Sequence, residues 1–242
     1  MNTERTLILL LIAIVILNLS WTGAVNNRAG SLENRVETVE QEQASIAVFA
    51  GANQSRSGAT SATSSLYAYN TGKGKATVVP AEIEAIPASG IYLDVSPVAH
   101  TATVQRSIAR AWSVANASQY PPPYDGTVIR INPPESWDTV GGGSAALSLA
   151  SGFAATNPCI ELNRSVAMTG GLTRSGTVVE VKRVREKAIA AKERGVTVFA
   201  VPQGQAVNVE GIRVVEVATF GEAANYTLER TAECPTEAAK LN

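Results

Sequence analysis

Ser144 follows three glycines, in Gly141-Gly142-Gly143-Ser144-Ala145-Ala146, and opens onto small, helix-prone residues. Lys187 lies 43 positions later, inside Glu186-Lys187-Ala188-Ile189-Ala190-Ala191, with Ala167-Met168-Thr169-Gly170 between them. A serine hydroxyl is a poor nucleophile until a base takes its proton. Histidine is the usual base, but His100 is the one histidine here, placed before a helix with no distinctive partner pattern. A lysine replaces it when desolvation keeps the amine neutral. Gly142 and Gly143 let the backbone approach a scissile carbonyl closely. The N–H groups from Gly143 to Ala145, at the start of a helix, would hold an oxyanion. Thr169, just after a strand, can aim the amine. Taken singly, Gly-Gly-Gly-Ser is also an ordinary loop into an N-cap, and Glu-Lys-x-x-Ala-Ala an ordinary helix.

The elements that must position these residues are legible in outline. The pattern gives strands at 47–50, 66–69, 76–79, 91–95, 127–131, 164–168, 177–181, 196–201 and 212–217. The two around Asn70-Thr-Gly-Lys-Gly-Lys75 read as a hairpin. Residues 52–65, rich in Ser, Thr, Asn and Gly, read as a loop. Helices are expected over 101–117, with Val104, Ile108, Trp112 and Ala115 on one stripe, over 144–155 and over 182–194. That alternation is α+β (α/β-like) in one domain.

Thr6 to Trp21 carries no charge, and extended to Val25 it reaches the length that spans hydrocarbon. A retained anchor over 1–25 is favoured over a cleaved signal peptide, because Trp21 suits an interface and no spacer precedes the next segment. Residues 26–45 read as a helical stalk, with Leu32, Val36, Val39, Gln43 and Ile46 on a short heptad seam. Lys/Arg counting places the N-terminus inside and the body, 46–230 with a tail at 231–242, outside. Asn-x-Ser/Thr sequons at Asn53, Asn116, Asn163 and Asn225 are compatible with that side.

Bulk composition removes several function classes. A formal charge of −1 with no basic block leaves no basis for nucleic-acid binding. Cys159, Cys234 and His100 have no metal-ligand spacing, so no metal site or cofactor is expected. The two cysteines form either one disulfide or two separate thiols. Gly72-Lys73-Gly74-Lys75 lacks the spacing of an ATP-binding P-loop. No Ser-x-x-Lys pair adjoins the glycine turn, which sets aside an amidase or lactamase-type site.

In combination the motifs resemble the proteolytic domain of the Lon protease family. That family carries Gly-x-Ser-Ala, a Met-Thr-Gly segment about 25 residues on, and a Glu-Lys-x-x-Ala-Ala helix, matched here around Ser144, Thr169 and Lys187. The resemblance covers about 125–217 clearly and 46–124 more weakly. It implies a serine endopeptidase with a Ser144/Lys187 dyad, Thr169 holding the lysine, and protein or peptide substrates. Assembly as a trimer or hexamer would fit the family. Residues for the family's AAA+ ATPase module are not seen, so the expected activity is ATP-independent and directed at unfolded or flexible segments. Gly141, Gly143, Lys182-Arg183 and Gly171 depart from the family's usual residues. A catalytically inactive scaffold with the same fold is the alternative.

Overall fold

The computed structural model describes residues 46–49, 60–134, 137–231 and 234. The anchor and stalk readings over 1–45, and most of the 231–242 tail, lie outside the described residues. Among the described residues no helix is long and apolar enough to cross a membrane.

The domain is mixed α+β. Its largest sheet has the order β1-β4-β6-β3-β2, from β1 (Ile46–Phe49), β2 (Thr60–Asn70), β3 (Lys75–Ile86), β4 (Gly90–Asp94) and β6 (Gly126–Ile131). β4 runs parallel to β1 and β6, whereas β3 is antiparallel to β6 and β2. Helix α1 (Ala102–Asn116) makes the crossover from β4 to β6. Thr101 caps it, its hydroxyl accepting from Val104 N, and Val104, Ile108, Ala111 and Ala115 face the core.

The β2–β3 hairpin divides two apolar cores because successive strand residues point to opposite faces. Leu66 and its partner Val79 enter the larger core, with Ile83, Ile108, Ile129 and Phe153. Tyr67 enters the smaller one and meets Phe199 edge-to-face at 5.4 Å. Helix α2 (Ala146–Ala154) lies wholly inside the larger core, all nine residues buried. Helix α3 (Val184–Lys192) packs on the other face, against the hairpin and β12 (Val198–Pro202). There β12 pairs in parallel with β9 (Val166–Met168) and β13 (Arg213–Val217).

Two readings are corrected. The expected 52–65 loop is partly strand: Thr60 to Ser65 pair with Ala85 to Pro80. Their polar composition concealed this, yet Ile83 and Ala85 of β3 supply the apolar template, and the buried Ser64 hydroxyl donates to Ser148 O at 2.8 Å. The strand expected to stop at Val79 continues through Pro80. This proline sits one residue beyond the last β3–β6 pair, Ala81–Ile131, and its carbonyl accepts from Asn132 N. The turn containing Gly72 to Lys75 simply joins the hairpin, with Gly74 at φ +65°.

Helix α4 (Phe220–Thr227) was not expected, although Thr219-x-x-Glu222 is a legible start signal. Thr219 Oγ1 accepts from Glu222 N, and the Glu222 carboxylate accepts from Ala218 N. β14 (Leu228–Arg230) then pairs antiparallel with β8 (Ile160–Leu162). Beside that pair Cys159 and Cys234 form a disulfide, their Cα atoms 5.3 Å apart. Of the two thiol arrangements left open, the pair is the one formed.

Candidate active site

A cleft of about 1000 Å³ holds the glycine turn, Ser144, Ala145 and Lys187 on one continuous lining. The turn is delivered by a short strand pair, β5 (Ala99–His100) beside β7 (Thr139–Val140), after which Gly142 takes φ +102°. A side chain there would be strained, which is why the turn needs glycine at that point. Helix α2 begins at Ala146 with Ala145 as N-cap and no side-chain cap, so Ser144 stands in the turn before the helix, not within it.

Tertiary pairing causes this late start. The Ser144 carbonyl accepts from Gly170 N (3.1 Å) and from Thr169 Oγ1 (3.3 Å), and Leu147 N donates to Gly170 O. The carbonyl that would begin the helical ladder is thereby tied to the Thr169–Gly170 segment. Among the described residues no acceptor engages the N–H groups of Gly143, Ser144 or Ala145. They are available to a developing negative charge.

Lys187 is 3% exposed, on a helix face where Val184, Ala188 and Ala191 are also buried. Burial lowers its ammonium from 10.5 to about 8, against the opposing pull of the neighbouring Glu186 carboxylate. Arg183 and Arg194 lie at the two ends of the same helix, and a cation close to the amine would also favour its neutral form. Arg183 is engaged over the Tyr69 ring (4.7 Å) and with Glu186 (3.2 Å), and desolvation is the dominant cause of the lowered amine. Arg183 also holds φ +62°, an unusual left-handed conformation for a residue with a Cβ, where a glycine would sit without strain.

Thr169 is the junction of the site. Its hydroxyl accepts from Lys187 Nζ at 3.1 Å and donates to the Ser144 carbonyl, using one lone pair and its single proton. Thr169 N is anchored on Ala200 O of β12. Among the described residues no hydrogen bond runs directly between Lys187 Nζ and Ser144 Oγ; the connection passes through Thr169. His100 does not line the cleft. Among the described residues no group of carboxylate, histidine and cysteine side chains could hold a metal ion. The sequence reading brought Ser144, Thr169, Lys187, Gly143 and Ala145 to one place. It missed the cationic wall supplied by Arg106 and Arg110, whose i, i+4 spacing on α1 was the available signal.

Fold and cleft thus describe a mixed α+β domain with a serine at a glycine turn beside a desolvated lysine. Residues 84–217, more than half of the chain, match the family of the Lon protease (S16) C-terminal proteolytic domain, and the chain belongs to that family. Similar relatives include the Lon protease of Neorickettsia sennetsu, 29% identical over 119 residues, covering 46% of this chain and 14% of that protein. The Lon protease of Rhizobium meliloti is 27% identical over 121 residues, 47% of this chain and 15% of its own length. Lon protease 1 of Borreliella burgdorferi is 34% identical over 93 residues, 37% and 11% respectively. The matched region therefore spans about a seventh or less of these relatives' lengths.

Proposed function

We propose that this chain is a serine endopeptidase in which Ser144 is the nucleophile and Lys187 the general base. The carrying observation is the buried Lys187 amine, held by Thr169 in the cleft that also contains Ser144. A neutral amine has two N–H bonds and one lone pair. One N–H goes to Thr169, leaving the lone pair for the Ser144 hydroxyl proton. Ser144 Oγ then adds to the peptide carbonyl, and the N–H groups of Gly143 to Ala145 take the oxyanion. The proton on Lys187 passes to the leaving amine, and water hydrolyses the acyl-enzyme with Lys187 as base again. Hydrogen bonds of this kind often tighten only when substrate is in place, so the Thr169-bridged geometry suits a resting site.

Further parts of the reading have separate support. Disulfides persist mainly in oxidising compartments, so the Cys159–Cys234 pair supports a body outside the membrane with an anchor at residues 6–25. The reading includes action without ATP on flexible protein segments; its support is that the Gly-Lys-Gly-Lys stretch at 72–75 connects a hairpin and lacks P-loop spacing. Self-association is assigned to the 32–46 seam. The decisive test is a covalent serine-reactive probe on the full chain. Labelling should be lost in both Ser144→Ala and Lys187→Ala. Labelling that survives in either sinks the dyad, and an unlabelled wild-type chain favours the inactive scaffold.

A further inference from the structure

We infer that the cleft selects acidic substrate segments, with Arg106 as the residue that reads them; this rests on the peptidase reading of the same site. The whole chain is nearly balanced, with 20 basic and 21 acidic residues. The cleft is not. Arg106, Arg110, Lys182, Arg183 and Lys187 line it, against Asp138 and Glu180. A neutral Lys187 still leaves the cations in excess. A cleft lined mainly by one sign of charge concentrates ligands of the other sign and steers their approach.

Arg106 is singled out by its partners and its place. Arg183 already meets Glu186 and Tyr69, and Arg110 also has interactions within the fold. Among the described residues Arg106 forms no ion pair. Its guanidinium donates to the neutral Thr103 hydroxyl one turn earlier, at 3.3 Å. That turn of α1 stands against the residue preceding Ser144: a Cβ placed on Gly143 would lie 3.5 Å from Ser107 Oγ and 3.8 Å from Thr103 Cγ2. A peptide whose scissile carbonyl reaches Ser144 therefore passes this wall. An Asp or Glu beside the scissile bond would exchange the weak Thr103 contact for a charge-assisted, two-pronged one.

The test uses the full chain and three unstructured peptides that differ only in having Asp, Gln or Lys on either side of one bond. Cleavage is followed at low and high salt, and binding is measured by fluorescence anisotropy on the wild-type and Ser144→Ala chains. The Asp peptide should be favoured over the Lys peptide by on the order of tenfold, mainly through KM, with the margin shrinking at high salt. Arg106→Gln should erase most of that preference and Arg106→Glu should reverse it. The charge-matched control Arg213→Gln, on the exposed β13 position outside the cleft, should leave it alone. Ser144-dependent cleavage without an acidic preference, or a preference indifferent to both Arg106 variants, overturns this inference and leaves the peptidase reading standing. Arg106-dependent binding without cleavage does the opposite. Neither binding nor cleavage rejects both.

Discussion

At the scale of single residues, the proposed dyad gives Lys187 both the role of base and a stability cost. Its amine titrates near 8 in the fold and near 10.5 in an unfolded chain. Between those values the unfolded chain binds a proton that the native one does not, so stability rises with pH across that window. Below pH 8 the penalty for a buried ammonium is fully present, on the order of 3 kcal/mol. Two outcomes are expected. Peptidase activity should climb as pH rises towards and through 8, because only the free amine accepts the Ser144 proton. A Lys187→Met chain should be inactive yet melt several degrees higher at pH 7, the difference narrowing by pH 10. A pH–rate profile and calorimetry on both chains check this. A methionine variant that melts lower at pH 7 would contradict the buried-charge account.

Among the elements, α2 is the one whose seating sets the position of Ser144. Gly152 is where it touches the sheet: a Cβ there would fall 2.5 Å from Ile83 Cδ1 and 2.9 Å from Ser64 Cβ. Gly152→Ala should destabilise by about 1–3 kcal/mol through overpacking. It should also slow Ser144-dependent turnover, because the helix must move to accept the methyl. A urea midpoint and a rate measured on the same protein give both numbers; an unchanged midpoint would mean the contact relaxes freely. Legibility differed among elements for similar physical reasons. The helices around Trp112 and Lys187 announce themselves by periodicity and small residues. The first half of β2 does not, because its residues are polar and the buried Ser64 hydroxyl finds its acceptor, the Ser148 carbonyl, 84 positions away. The end of β3 was hidden by Pro80, tolerable only because β6 stops one residue short of it. The late start of α2, and with it the free N–H groups, depends on Gly170 and Thr169 rather than on any local capping residue.

For the whole molecule, the disulfide is the longest covalent constraint, linking residues 75 positions apart. Loop-closure entropy for such a ring corresponds to roughly 4 kcal/mol as an upper figure. A Cys159→Ser/Cys234→Ser chain should therefore unfold at lower temperature by several degrees, and reducing agent should shift the wild-type chain alone. No change in either would show that the crosslink holds nothing in the native state. The primary structure by itself determined the α+β class and the order of the motifs, because strand and helix periods and motif spacing are local. It named Ser144, Thr169 and Lys187 for the same reason. Only the folded arrangement decided that Lys187 has a depressed amine and that Thr169 joins it to the serine turn. A pKa is set by which atoms exclude water around a group. Those atoms come from the hairpin, β12 and α3, brought together from distant stretches of chain, whereas the neighbours along the helix include Glu186, which acts the other way.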